Sequence, residues 1–522
     1  MKRASLILVI LLMTAALVFA AGGSQSSSSG GTGSIVVEVF DRGTDGGRTL
    51  AANNAWTDWI KAKVKKDLNI DVTFQAVGRW SETTDIVNLL ASGSAPDLCY
   101  TYSKGAVDTF AAQGGILDLA PYIDRLLPDF KKLLGADPAL GGDLVYRNQD
   151  PNTKKLWSVT NYVTYLARKN LFIRKDWLDK LGLPLPKTTK EFHDALVAFK
   201  NRDPGGVGAN NVIPLGQDAD ARWGLSPIIY AYFNTKLSPR DEWINRFTDR
   251  PISMPGYKEG VRLMNAWYNE GLIFKDFPLM TVAEDYWNLL KSGRVGAFGG
   301  DWQLPYRTDY NINNDLAKNV PGAKFVPVDC IEGTDGVYYK EISDKPGLQI
   351  FVPLQSKNPE GALRYLNWLS KFENFNYLQI GEQGRNHNLV NGIPQVIPSP
   401  GTWIQNSANN IDLTMPMNGL ELLDPEKNAR AIALSYAGTP PEEIVNAINI
   451  STNKGRAPVV YQATETKLPA LAQTLNDKAG ALLAQSIIAP VANFDRVWDA
   501  GYNDWLASGA RDVINERTSL WK

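Results

Sequence analysis

The chain has 522 residues, well past a single ordinary domain of roughly 100–200 residues, so two lobes with separate cores are expected. Its 54 basic and 55 acidic side chains nearly cancel, which excludes the broad basic face of a nucleic-acid or anionic-membrane binder and points to a neutral partner. The 15 Trp and 20 Tyr supply flat apolar faces with a polar edge.

In chain order, Lys2 and Arg3, the apolar run Leu6–Phe19 and the small-x-small triplet Val18-Phe19-Ala20 read as a secretory signal over residues 1–20, cleaved after Ala20. Residues 21–33, almost entirely Gly and Ser, read as a flexible linker that cannot bury a core. No Cys follows the cleavage site, so no lipid anchor is expected, and a periplasmic location suits a chain that would otherwise diffuse away. No later run reaches the eighteen or so apolar residues that a membrane helix needs. Cys99 and Cys330, the only cysteines, are read as buried free thiols, because Leu98-Cys99-Tyr100 is an apolar strand-like run. A bridge between them is the alternative that export permits.

Ile35–Phe40 is a β-branched run that reads as a buried strand. Trp56, Trp59, Ile60, Val64 and Leu68 recur at helical spacing, whereas Ile70, Val72 and Phe74 alternate with polar residues as a strand does. Ile86, Val87, Leu89 and Leu90 restore the helical period before a third strand at Leu98–Tyr102. Strand, helix, strand, helix, strand predicts a parallel or mixed sheet with helices on both faces. A second α/β block is expected from Tyr162. There Thr188 and Glu191 form a predicted capping box for a helix through Phe199, and Val295–Phe298 reads as a strand that Gly299 and Gly300 turn at its end. Gly361–Ser370 reads as an amphipathic helix.

Catalytic constellations are few. The two histidines, His193 in a helix and His387 in a polar loop, are far apart in sequence, so there is no HExxH zinc site, no Cys and His metal cluster and little material for a Ser-His-Asp triad. No Walker loop or GxSxG elbow is present, and Gly206-Val207-Gly208 lacks the third glycine of a dinucleotide fingerprint. Asp41–Gly46 (DRGTDG) lacks the alternating acids of a calcium loop and reads as a turn. No metal, no cofactor and no enzymatic activity are therefore expected. A carboxylate pair of the glycoside-hydrolase kind stays open as an alternative, since two acids suffice and sequence spacing does not locate them.

Five segments then follow in order: Leu89–Asp97 (LLASGSAPD), Gly115–Asp124 (GILDLAPYID), Leu166–Pro204 with its Arg-Lys-Asp-Trp helix and Leu-Gly turn, Lys291–Trp302 (KSGRVGAFGGDW) and the tail Phe494–Glu516. Together they resemble bacterial extracellular solute-binding proteins of the sugar-binding type, specifically the larger lipoprotein-like members. The resemblance implies the two-lobed α/β periplasmic-binding-protein fold, each lobe a mixed sheet flanked by helices, with the solute in the cleft. It implies a first lobe at 34–160 with a returning segment at 347–400, a second lobe at 161–346 with C-terminal segments over 401–522, and hinges near Thr160–Tyr165 and Val337–Ile350. It further implies a monomeric receptor of an ABC importer that captures a carbohydrate, by expectation an oligosaccharide, and delivers it to a membrane permease. A same-fold receptor for a peptide or other small solute is the alternative.

A sugar ring offers C–H faces to aromatic side chains and a hydroxyl rim to polar ones, and α/β sheets hold ligands beyond the carboxyl ends of strands. That rule selects Asp41 and Arg42 after the first strand, Trp80 after the second, and Tyr100 and Tyr102 at the third. In the second lobe it selects Asp301 and Trp302, and the resemblance adds weight to Trp302. Trp223 and Trp403 are taken as loop aromatics, and Tyr162 and Tyr165 lie near the expected hinge. Trp56, Trp59, Trp177, Trp267, Trp368 and Trp498 sit at helical spacing and are expected in cores.

Overall fold

The computed structural model describes residues 33–43, 50–135, 144–150, 152–163, 167–234, 236–307, 310–333, 340–342, 347–397, 411–418, 420–436, 438–461, 463 and 465–522. The expected leader, nearly all of the linker, Tyr165 and Trp403 lie outside the described residues. The strands are β1 (Gly33–Asp41), β2 (Ile70–Gly78), β3 (Cys99–Thr101), β4 (Val159–Thr160), β5 (Tyr162–Val163), β6 (Lys169–Arg174), β7 (Ile213–Gly216) and β8 (Val295–Asp301). They continue as β9 (Phe325–Val328), β10 (Lys340–Glu341), β11 (Gln349–Phe351), β12 (His387–Val390), β13 (Ile393–Val396), β14 (Met417–Asn418) and β15 (Gly455–Arg456).

In the first lobe β1 and β2 pair in parallel along their whole length, from Gly33 opposite Ile70 to Asp41 opposite Gly78. β3 joins the other side of β1 through a single parallel bridge, Val37 to Leu98, and β11 pairs antiparallel with both β3 and β4. The resulting order is β2-β1-β3-β11-β4. Ile35, Val37 and Val39 of β1 share one core with Ile60 and Val64 of the helix Ala55–Leu68, Phe130 of Pro128–Gly135 and Leu363 of Pro359–Leu369. Asn54 opens the first of these helices by accepting the Trp56 and Thr57 amides, which satisfies two donors that a bare helix end leaves orphaned.

In the second lobe β6 lies between β8 and β9, antiparallel to both, and β7 pairs in parallel with β8, giving β7-β8-β6-β9. Successive side chains of β6 serve opposite faces. Leu171 and Ile173 pack with Trp177, Phe199 and Leu215, whereas Phe172 packs with Phe298 and Phe325. A sheet covered on both faces reads as an unbroken apolar run, as Leu171-Phe172-Ile173 does. The C-terminal helices Lys467–Ile488 and Phe494–Trp505 bring Leu482, Trp498 and Trp505 into the first of these two cores.

Two local expectations shift. The Thr188 hydroxyl accepts the Glu191 amide (3.1 Å), but the Glu191 carboxylate accepts the Lys187 amide (2.7 Å), so the reciprocal bond falls one residue before the cap. β8 does not turn at Gly299 and Gly300 but runs through them to Asp301. Glycine at 299 answers a close approach instead: a Cβ there would lie 2.0 Å from the Gly224 carbonyl oxygen.

The chain passes between lobes more than once. The outgoing path from β4 and the returning path into β11 are clamped by Asn161, whose buried side-chain oxygen accepts the Gly347 (3.0 Å) and Leu348 (2.8 Å) amides. A further strap follows at 411–418, where β14 pairs with β5. Leu413 and Met415 of this strap belong to the first lobe's core, and Leu420 to a second-lobe core. Residues 411–417 thus pack with the first lobe, within the 401–522 stretch whose segments were expected with the second, because long-range packing decides where a strap lies. Cys99 and Cys330 are buried free thiols in different cores. Among the described residues no helix is long and apolar enough to cross a membrane.

Candidate functional site

β4 carries the chain out of the first lobe at its carboxyl end, and β6 receives it at its amino end. β3 runs parallel to β4, because both oppose β11, so the carboxyl ends of β1, β3 and β4 share the edge turned toward the crossing. β7 and β8 run opposite to β6, so their carboxyl ends meet the crossing from the second lobe. In the first sheet the strand order reverses between β1 and β3, which is the crevice where open α/β sheets hold ligands.

At that crevice the backbone ladder stops early and side chains replace it. Beyond the Val37–Leu98 bridge, the Glu38 carboxyl accepts the Tyr100 amide (2.9 Å) and the Tyr100 hydroxyl accepts the Phe40 amide (2.9 Å). Glu38 is buried, and among the described residues its Oε1 has no hydrogen-bond partner. Burial pushes its pKa well above the usual carboxylate range, against the Tyr100 hydrogen bond and with Glu82 and Asp412 adding to the rise.

The splayed strand ends carry a polar and aromatic set. Arg42 grips Asp412 with both arms of its fork (2.7 and 2.8 Å). Asp412 is so deeply buried that desolvation raises its pKa even with Arg42 in place. Arg79, directly after β2, lies over the rings of Tyr102 (4.3 Å to the centroid), Trp80 (5.0 Å) and Phe40 (5.3 Å). Its Nη1 reaches Glu82 at 3.2 Å, and the other Glu82 oxygen accepts the Thr101 hydroxyl and the Tyr102 amide, both at 2.9 Å. Trp80 itself is 79% exposed. The edge thus offers an open indole beside a guanidinium layered on a tyrosine.

On the second lobe, the Gln217 amide beyond β7 donates to the Asp218 carboxylate (2.7 Å). Burial, with Asp220 next, raises the Asp218 pKa. Asp301 ends β8 exposed, opposite Lys169, which donates to Ser226 (3.0 Å). Arg168 pairs with Glu341 at 2.6 Å. Among the described residues no group of His, Cys, Asp and Glu side chains could hold a metal ion.

Of the residues selected from sequence, Asp41, Arg42, Trp80, Tyr100 and Tyr102 do come together at the first-lobe edge, in different settings. Trp80 is open and Tyr102 half-buried; Arg42 is engaged by Asp412; Tyr100 is fully buried and is a strut between strands rather than a surface for stacking. Tyr162 is half-buried against the first core. Trp302 departs from expectation: it is 2% exposed and packs with Tyr306 and Tyr436 in a second-lobe core. Because β8 runs on instead of turning, the two-residue period carries Trp302 to the same face as Phe298. Trp223 lies in the helix Arg222–Ile229, not in a loop. His387 is buried in β12 with Nδ1 3.0 Å from the Ile380 carbonyl, whereas His193 pairs with Glu270 at the surface (2.7 Å). Sequence reasoning missed Arg79, Glu82 and Asp412. Arg79 was within reach of the strand-end rule, one residue before Trp80. Glu82 resembles any first-turn helix acid, and Asp412 lies 370 residues from its partner with no local signal.

Comparison with known proteins bears on the family and the fold. Lipoprotein LipO of Bacillus subtilis (strain 168) is 27% identical over 347 residues, covering 62% of each chain. The fructooligosaccharide ABC transporter substrate-binding protein FusA of Streptococcus pneumoniae serotype 4 is 28% identical over 221 residues, covering 40% of each. The chain thus spans less than two thirds of the length of these curated relatives. The solved S. pneumoniae FusA in complex with kestose shares the fold, with a TM-score of 0.64 at 18% identity over 93% of this chain and 98% of that one. Residues 49–371 match the family described as bacterial extracellular solute-binding protein, and with two α/β lobes meeting at their strand ends the chain belongs to that family.

Proposed function

We propose that this protein is the substrate-binding receptor of an ABC importer, capturing an oligosaccharide between its lobes and passing it on to a membrane permease. The observation that carries this reading is the open Trp80 beside Arg79 and Tyr102 at the crevice of the first lobe. An indole face suits the C–H face of a sugar ring, and flanking guanidinium and carboxylate groups suit its hydroxyls. The similarity to a fructooligosaccharide-binding protein supports the ligand class.

Binding without turnover is the favoured chemistry. A glycosidase needs two carboxyls that exchange protons or attack freely, and at this edge Asp412 and Glu82 are engaged by Arg42 and Arg79. In this reading Asp41, Arg79, Trp80 and Tyr102 contact the ligand from the first lobe, and Asp218 and Asp301 from the second. The lobes divide at 34–160 with 347 to about 380 and the strap 411–417, against 167–333 with the C-terminal helices. Export with cleavage after Ala20, a periplasmic location and a monomeric receptor complete the proposal.

The test is a thermal-shift screen of the full chain against mono- and oligosaccharides, kestose among them, with the sugar analysed afterwards. A ligand that binds only the folded state raises the melting temperature in proportion to RT ln(1 + [L]/Kd). A rise with an oligosaccharide recovered intact is the expected result. A rise with peptides alone, or the appearance of cleaved sugar, contradicts the proposal.

A further inference from the structure

We infer that Gly105 and Pro469 form the contact by which the lobes close on a bound solute, so that these two residues set its affinity without touching it. This rests on the receptor reading above and adds the way its cleft is held shut.

The helix Lys104–Ala112 starts directly beyond the carboxyl end of β3, with Ser103 as its cap accepting the Ala106 amide (3.2 Å). Its Ala106, Val107 and Phe110 pack with Cys99 and Phe351 into the first lobe, so Gly105 lies off the buried stripe. In the helix Lys467–Ile488, Leu468, Leu471 and Leu475 pack into the second lobe, and Pro469 lies off that stripe in turn. The two helix ends meet there. A Cβ built on Gly105 would lie 3.6 Å from the Cβ and 3.7 Å from the Cγ of Pro469, so the missing side chain lets the helix ends approach to van der Waals contact. The Lys104 charge acts across the same seam on Glu465, which Arg517 holds at 2.8 Å on the second lobe.

At 160–163, 347–349 and 411–418 the lobes are joined through the backbone, and those places cannot part. The meeting of Gly105 with Pro469 is not covalent and can. It also lies across the first-lobe sheet from the strap. Leu413 and Met415 pack on the face that carries Tyr100 and Ile350, whereas the helix 104–112 packs on the face that carries Cys99 and Phe351. A rotation about the joined side therefore separates the helix ends as the lobes open and brings them together as the lobes close. A contact present only in the closed form adds its free energy to the binding of any solute that selects that form. A side chain much larger than a methyl at 105 would hold the lobes apart and take that contribution away.

The test is the paired substitution Gly105→Cys and Pro469→Cys in the full chain. The 3.6 Å separation falls within the roughly 3.5–4.5 Å that a disulfide spans between Cβ atoms, and the native Cys99 and Cys330 are buried. The paired variant is oxidised with kestose bound, or with the sugar of the screen that binds more tightly. It should form one bond between the introduced thiols, keep the sugar through gel filtration, and release it at least about tenfold faster once reduced. No such bond, or release at one rate before and after reduction, would overturn the inference and leave the carbohydrate reading intact. Gly105→Trp is the second variant: its affinity should fall by at least about tenfold while the sugar-free protein melts as its parent does. Gly105→Ala, whose methyl would only reach ordinary contact with Pro469, should bind as the parent. An unchanged affinity in Gly105→Trp would overturn the inference. If a peptide and no sugar shifts the melting temperature, the carbohydrate reading fails, and retention of that peptide by the oxidised paired variant decides the contact.

Discussion

Trp80 and Trp302 place the same ring in opposite settings, and their alanine variants should separate accordingly. Trp80 is 79% exposed beside Arg79, so Trp80→Ala should weaken oligosaccharide binding by roughly 10- to 100-fold and change stability by less than about 0.5 kcal/mol. Trp302 is 2% exposed in a core, so Trp302→Ala should cost about 3–5 kcal/mol of stability. Calorimetry and chemical denaturation on both variants check the pair; a Trp80→Ala protein that binds as tightly as its parent would remove the stacking role. Glu38 gives a pH signature. Its folded pKa is raised above the ordinary 4.5, so the stability it contributes is fully present below that value and is lost as pH rises toward the folded one. Glu38→Gln cannot ionise and can retain the bond to the Tyr100 amide. Its melting temperature should match the parent's near about pH 4 and exceed it increasingly toward about pH 8; parallel melting curves for the two proteins would show that Glu38 ionises at no cost.

At the scale of elements, the sequence was most informative where one period dominates. The helix at 55–68, the strands at 35–40 and 70–74 and the helix at 361–369 were all legible, since their faces are set by local alternation. The behaviour of β8 was not, because a pair of glycines permits either a turn or a close contact, and the backbone of Gly224 decides between them. Gly299→Ala tests that account: the added methyl would meet the Gly224 carbonyl, and overpacking of this kind costs about 1–3 kcal/mol or more. Denaturant unfolding measures it, and a neutral substitution would mean that the helix 222–229 has room to move away. The edge itself was half legible. Strand ends nominated Arg42, Trp80 and Tyr102, but what each does depends on Asp412 and Glu82, partners supplied by a distant strap and a neighbouring helix.

For the whole molecule, the proposed function puts the hinge where Asn161 clamps the outgoing and returning paths together, at 160–163 and 347–349. On that proposal, contacts that a ligand makes to both lobes exist only in a closed arrangement, so binding would shift the population toward it. The measurement that tests this most directly is a crystal structure of the protein with the oligosaccharide giving the largest thermal shift. It should show the sugar between the carboxyl edges of the two sheets, one ring against Trp80, with polar contacts to Arg79 on the first lobe and to Asp218 or Asp301 on the second. A sugar held by one lobe alone, or seated elsewhere with Trp80 still open to solvent, would contradict it.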